Sequence, residues 1–285
     1  MSNIYFAQNK QRPIELLRAA NAVYMRAKRF NLTLFITSAL IPLSINISFF
    51  FFENETVKSI LCLANLIMIL ASFVLKETIG HYKDVGSLLQ QWYDLSVFDI
   101  GGLDNYEKGK VEKYIIKYKD RSFKNENSWY QDSYDPSVSK DRAILLCHKK
   151  NVTWTSRLTE RYLYFMISFL ALIVTASIVC SIVFKSDIND VLQSAYTLTP
   201  ALGYVGYSVY QLVSEKIKFM RLQEFINNLL SLSKKGRVAD VSIYELQTRV
   251  YDYRHNKRLV PEFMYKLFYK KDAAYVEKAI QNDLF

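Results

Sequence analysis

Phe30 to Phe52 reads FNLTLFITSALIPLSINISFFFF, 23 residues without a charge. At about 1.5 Å per residue this stretch makes a helix about 34 Å long, enough for a hydrocarbon core of about 30 Å. Tyr162 to Phe184 is a second uncharged run of 23, bracketed by Arg161 and Lys185. Ser59 to Leu75 has only 17 uncharged residues, so it crosses if Lys58 and Lys76 extend their long stems to the two interfaces. Val191 to Val213 is uncharged over 23 residues but holds Gln193, Thr197, Thr199, Tyr204, Ser208 and Gln211. Its length favours a crossing over a buried core helix. These runs predict an all-α integral membrane protein with four transmembrane helices in two hairpins. The first hairpin is 30–75, with spans 30–52 and 59–75; the second is 162–213, with spans 162–184 and 191–213.

Charge orients the hairpins. Of the 37 Lys and Arg residues, 35 lie in residues 1–29, 76–161 and 214–285. The connections Glu53 to Lys58 and Lys185 to Asp190 carry 1 basic and 2 acidic residues each. The positive-inside rule then puts both termini and the central insert in the cytoplasm. A multi-pass membrane protein follows, with nothing sizeable outside to receive an external ligand. The 29 polar and basic residues before the first apolar run argue against a signal peptide. The whole chain, 285 residues with 51% hydrophobic residues, 8 Gly and 5 Pro, is too apolar for disorder and too poor in Gly and Pro for a fibre.

The cytoplasmic parts read as helical. Pro13 to Arg29 extends the first span backward, with Arg18, Arg26, Lys28 and Arg29 suited to anionic head groups. After the second span an amphipathic pattern runs through Ile79, Tyr82, Leu89, Trp92 and Tyr93 to Gly101-Gly102. A helix is expected over Asn105 to Lys119, a surface loop over Lys119 to Lys140, and a helix from Asp141 to Arg161 running into the third span. In 214–285, Gly236 ends the fourth span's extension, Ser242 and Glu245 form a capping box, and Pro261 opens the last helix.

Catalysis finds little support. There is no glycine-rich phosphate loop and no HExxH, and the only histidines are His81, His148 and His255. Cys62, Cys147 and Cys180 have no metal-ligand spacing and read as small apolar fillers in a reducing compartment. No metal and no resident cofactor are expected. The glycosylation-like matches at Asn54 and Asn151 carry no weight.

Three stretches resemble a known family. Gln91-Trp-Tyr-Asp-Leu-Ser-Val-Phe98 is similar to its segment after the second span. Ala143-Ile-Leu-Leu-Cys-His-Lys-Lys-Asn151, with Trp154 and Arg157-Leu-Thr-Glu-Arg-Tyr162, resembles its helix leading into the third span. Leu246-Gln-Thr-Arg-Val-Tyr-Asp-Tyr-Arg254, with Val260-Pro-Glu-Phe-Met-Tyr-Lys-Leu-Phe268, resembles its C-terminal signature. The family is that of the SMODS-associating four-transmembrane (S-4TM) pore-forming effectors of bacterial CBASS anti-phage systems. Two stretches depart from its pattern. Phe98-Asp-Ile-Gly-Gly-Leu stands where the family continues Phe-Gly-Leu-Pro-Trp-Asn, and Ser128-Trp129-Tyr130 stands for Asn-Trp-Tyr.

The resemblance implies an effector activated by a cyclic oligonucleotide from a CD-NTase-like cyclase, which disrupts the inner membrane in abortive infection. No nucleic-acid polymer is implied. Such a ligand needs cations beside aromatic faces, and Arg142, Lys149, Lys150, Trp154 and Arg157 supply both on one helix. The competing reading of that cluster is head-group contact or solvated surface. In the fourth span Gln193, Thr197, Tyr204, Ser208 and Gln211 form a polar stripe that either lines a pore or hydrogen-bonds to neighbouring helices. The first span has a weaker stripe at Thr33, Thr37, Ser44 and Ser48. Four helices cannot enclose a wide channel, so a pore implies a homo-oligomer. The alternatives are a non-conducting membrane anchor or scaffold, and an ion channel unrelated to defence.

Overall fold

The computed structural model describes residues 4–52, 54–101, 105–124, 126–130, 138–184, 188–236 and 238–284. In chain order the elements are α1 (Ile4–Gln8), α2 (Gln11–Phe35), a π-helical turn (Ile36–Leu40), α3 (Ile41–Phe49), α4 (Glu55–Phe98) and α5 (Asn105–Tyr118). A 3-10 turn (Glu126–Ser128), α6 (Lys140–Val183), α7 (Ile188–Lys235), α8 (Asp240–Asn256) and α9 (Glu262–Leu284) follow. Among the described residues there is no strand.

Two antiparallel hairpins of unusually long helices organise the chain. In the first, Phe30 stacks on Tyr82 at 5.7 Å. A Cβ on Gly86 would lie only 3.1 Å from the Tyr24 ring, so α2 and α4 meet where one side chain is reduced to hydrogen. The π turn sits just before Pro42, whose missing N–H and bulky ring disturb the regular i to i−4 ladder. Asn54 caps α4 by accepting from the Thr56 and Val57 amides, so this asparagine has a structural task. The second hairpin is tied by Lys149 to Asn227 (2.8 Å) and Lys216 to Glu160 (2.8 Å). Pro200 stands inside α7.

Three helical stretches, Gln11–Phe49, Thr56–Phe98 and Lys140–Val183, are long and apolar enough to cross a membrane. Their outer faces support that reading: Ile60, Leu63, Leu66, Ile67, Leu70, Phe73 and Val74 on α4 are all exposed, a patch that a soluble monomer does not present. The fourth long helix, α7, is less apolar because its polar residues are spent on contacts within the bundle, as described below.

The core divides along the helices. Leu16, Leu89, Tyr93, Phe98, Tyr118, Tyr130, Ile144 and Leu246 fill the half built from the basic segments. Leu34, Tyr162, Met166, Ile173, Leu198, Val205 and Leu212 fill the half built from the apolar runs. One local expectation is refined and another corrected. Within 119–140 the described residues are mostly exposed, as a surface loop requires, but Glu126 and Tyr130 are buried, and Arg18 holds Glu126 in a two-pronged ion pair at 2.5 and 2.9 Å. Ser242 and Glu245 form no capping box: α8 starts at Asp240, the N-cap is Ala239, and Ser242 lies inside the first turn. Gly102 and the tips of both short hairpins (53 and 185–187) lie outside the described residues.

Candidate functional site

Where α4 leaves the apolar half it carries Gln91-Trp-Tyr-Asp94, and Asp94 is completely buried. Such a carboxylate is costly unless partnered. Arg254 from α8 donates to it at 2.5 Å, the Tyr130 hydroxyl donates to its other oxygen at 2.5 Å, and Gln247 adds a contact at 3.3 Å. Gln247 also donates to Gln91 at 2.6 Å. Burial, then the charge of Asp94, holds the Tyr130 phenol well above its ordinary pKa, which keeps it a neutral donor. The backbone of Tyr130 is itself held: Gln8 accepts from its amide and donates to its carbonyl, both at 2.8 Å. Buried His148 packs edge-on against Phe98 at 5.1 Å, and burial lowers its pKa to about 4.

Through Arg254 this joint borders a cavity of about 240 Å³, also lined by Tyr24 and Lys28 of α2, Trp129, Trp154 of α6, Tyr253 of α8, and Lys257 and Tyr265. Lys28 is paired with Glu262 at 2.5 Å and lies 5.7 Å from the Tyr265 ring. Lys257 sits about equally over two rings, Tyr24 at 6.0 Å and Tyr253 at 5.9 Å. Burial, followed by repulsion from Arg254 and Lys28, lowers the Lys257 pKa to about 7. Aromatic faces beside cations suit a base with its phosphate.

Of the sequence-predicted cluster, only Trp154 reaches this cavity. It also packs against Tyr269 at 5.5 Å. Arg142 donates to Ser233 at 3.3 Å and Lys149 bonds Asn227, so both face α7. Lys150 is half-buried, with its pKa lowered by burial. Arg157 covers the Tyr275 ring at 4.1 Å and pairs with Glu160. The cluster is therefore spread around α6. Asp94, Tyr130 and Lys257, not singled out for this role, form the joint and the basic wall together with Arg254 of the basic C-terminal helices. One sign was present: Ile243, Leu246, Gln247, Val250 and Arg254 share one buried face of α8, so Arg254 is a charge standing on an apolar stripe.

Segments 91–98, 143–154 and 246–254 thus meet at one joint. The profile of the SMODS-associating 4TM effector domain matches residues 2–282. The chain belongs to this family. It is also 24% identical, over 292 residues, to a protein of Bacillus cereus named as a probable CBASS effector molecule, with 97% of this chain and 96% of that protein covered. No solved structure matches. Among the described residues of this 4TM effector, no group of His, Cys, Asp and Glu could hold a metal ion.

The middle of the polar stripe of α7 in this effector, Thr197, Tyr204 and Ser208, faces the inside of a single chain. Asn46 donates to the Thr197 hydroxyl (2.9 Å) and the Ser194 hydroxyl (2.8 Å), and Asn65 donates to the Thr197 carbonyl (3.0 Å). Thr197 lies in the turn loosened by Pro200, whose ring cannot supply an amide. Buried Ser208 donates to the Tyr204 carbonyl at 2.6 Å. Gln211 accepts from Arg258 at 2.6 Å, and the same guanidinium lies 5.3 Å from the Tyr204 ring. Gln193 is exposed.

Proposed function

We propose that this 4TM effector senses a cyclic oligonucleotide in the aromatic and basic cavity and answers by opening the bacterial inner membrane, as a CBASS effector acts in abortive infection. The observation that carries the reading is the joint of Asp94, Arg254 and Tyr130 beside the cavity, in which Arg254 borders the cavity and Asp94 lies on α4, the helix that continues into the second apolar run. The cavity walls include α2 and α6, which lead into the first and third apolar runs. At about 240 Å³ the space is below the usual range of about 300–1,000 Å³ for small-molecule sites. A cyclic dinucleotide must therefore part these walls, and that movement is passed along rigid helices to the bilayer.

In this reading α7 is the fourth span, both termini are cytoplasmic, and the cyclase product is the activating ligand. Buried Thr197 and Ser208 hold the resting bundle together and meet water only when helices separate, whereas Tyr204 and Gln211 already border a cleft between α4 and α7. Several copies then share the wall, since four helices enclose no wide channel. Bonding of the stripe inside one chain also suits the scaffold alternative, in which ligand binding changes partners and not permeability.

Release of an encapsulated dye from vesicles carrying the full chain, screened over cyclic di- and trinucleotides, tests the proposal. Release triggered by one nucleotide and absent with linear nucleotides is expected. Nucleotide binding without release would leave the scaffold, and neither binding nor release would overturn the effector reading.

A further inference from the structure

A second and larger cavity, about 670 Å³, lies between the π turn of the first hairpin, α4 and α7. Its wall runs from Ile69 to Lys83 on α4 and from Thr199 to Glu215 on α7, about 21–24 Å along each axis. One end is apolar, with Leu34, Ile69 and Phe73. The other end holds Lys83, Arg258 and Glu215, with Lys76 partway along the wall. α4 and α7 touch only sparsely, and a Cβ on Gly203 would meet nothing within 4 Å.

The charged end is incomplete as it stands. The Arg258 backbone amide donates to Glu215 at 2.6 Å and one guanidinium nitrogen donates to Gln211 at 2.6 Å. Its buried Nε has no acceptor. Lys83 is half-buried with only a 3.5 Å contact to the Asn256 carbonyl, and burial lowers its pKa. Three cations face one carboxylate, itself pushed toward neutrality by burial. A long apolar slot ending in cations and an unused donor, set at the edge of the apolar belt, matches an amphiphile whose head is anionic. A helix from a second copy would cover the slot but leave these donors unpaired unless it brought an acid to them.

We propose that this cleft holds one anionic membrane phospholipid, its phosphate against Lys83 and Arg258 and one acyl chain lying along Phe73 and Leu34 between α4 and α7. The proposal rests on reading the chain as an integral membrane protein and not on nucleotide binding, although Arg258 and Leu259 border both cavities. The bound lipid would act as a wedge between the second and fourth long helices, beside Pro200.

The test uses the full chain carrying Phe73→Trp in phosphatidylcholine vesicles doped with brominated phosphatidylglycerol or, separately, with brominated phosphatidylcholine. Quenching of the unsubstituted protein is subtracted for Trp92, Trp129 and Trp154. The expected result is preferential quenching by the anionic lipid, about fivefold in relative binding for each cation engaged. Lys83→Gln in the same background should remove about fivefold of that preference, whereas Lys218→Gln, an exposed charge on α7 outside the cleft, should leave it unchanged. Equal quenching by both lipids would reduce the cleft to ordinary annular contact and overturn the proposal. So would loss of the preference on adding inorganic phosphate, which would mark a soluble-anion site. Efficient oxidation of a Gly203→Cys chain, lacking Cys62, Cys147 and Cys180, into a disulfide-linked dimer would overturn it in favour of a second copy. Nucleotide-triggered leakage plays no part in these readouts, so failure here leaves the cavity reading standing.

Discussion

The two halves of this effector bury polar groups in different currencies. In the half built from basic segments, Asp94 and Arg254 are buried as full charges, each with a partner that it cannot lose cheaply. In the apolar half, Asn46, Asn65, Thr197 and Ser208 are buried as neutral amides and hydroxyls. The first half can use ions because the hydrophobic effect of residues such as Leu16, Leu89 and Ile144, about 1.5–3 kcal/mol each, offsets their desolvation. The second has no such drive between helices in lipid, so small side-chain hydrogen bonds and close contacts hold it. One half is locked by paired charges, and the other is held by neutral hydrogen bonds and close packing.

The largest expected effect breaks the charged joint. Arg254→Ala strands a buried carboxylate and should cost about 3–5 kcal/mol, read by denaturation of the detergent-solubilised chain. An Asp94→Leu and Arg254→Met double substitution should regain most of that loss, since no charge is then left alone. A single substitution costing less than about 1 kcal/mol would erase the contrast between the halves.

Asn46→Ala is the matching experiment in the apolar half. Thr197 keeps its own bond to the Ser194 carbonyl at 2.9 Å, so the expected cost is only about 0.6–2 kcal/mol. Equal costs for Asn46→Ala and Arg254→Ala would show that both halves are locked alike, which suits a scaffold better than a pore.

A smaller effect is expected from pH. The His148 pKa is lowered to about 4 by burial, against about 6.5 in an unfolded chain. Between those values the unfolded chain binds the extra proton, so stability present above pH 6.5 drains away as pH falls toward 4. The thermal midpoint should show this slope, and His148→Gln should flatten it. Lys257 works in the opposite range. Its pKa of about 7 lies below the usual lysine value, so stability rises from about pH 7 toward 10, while binding of an anionic ligand weakens over the same interval.

Much of the apolar half was legible from runs without charge, because bilayer thickness fixes helix length and leaves little choice. The extensions of α2, α4 and α6 were legible because helix formers continue through each boundary with no proline there, and in α4 the helix runs on through Gly80 and Gly86. The joint was harder to see. Asp94, Tyr130 and Arg254 lie 36 and 124 positions apart, and only folding shows that each answers the others. Tyr130 was hidden further by its polar surroundings, which read as surface until the Gln8 side chain is seen pinning its backbone. The α6 cluster failed to converge because Arg142 and Lys149 point to α7 while Arg157 points to α9. A shared helix does not give side chains a shared face.

The most direct test of the account is the affinity of the leakage-triggering cyclic oligonucleotide for the full chain in lipid nanodiscs, measured by titration calorimetry. The comparison is between Lys257→Gln and the Arg142→Gln and Lys149→Gln double substitution. If the cavity is the sensor, Lys257→Gln weakens binding about tenfold or more, as loss of a charge-assisted contact requires, and the double substitution stays within about threefold of the original. Unchanged affinity in Lys257→Gln together with lost binding in the double substitution would place the sensor where α6 meets α7 and contradict the account.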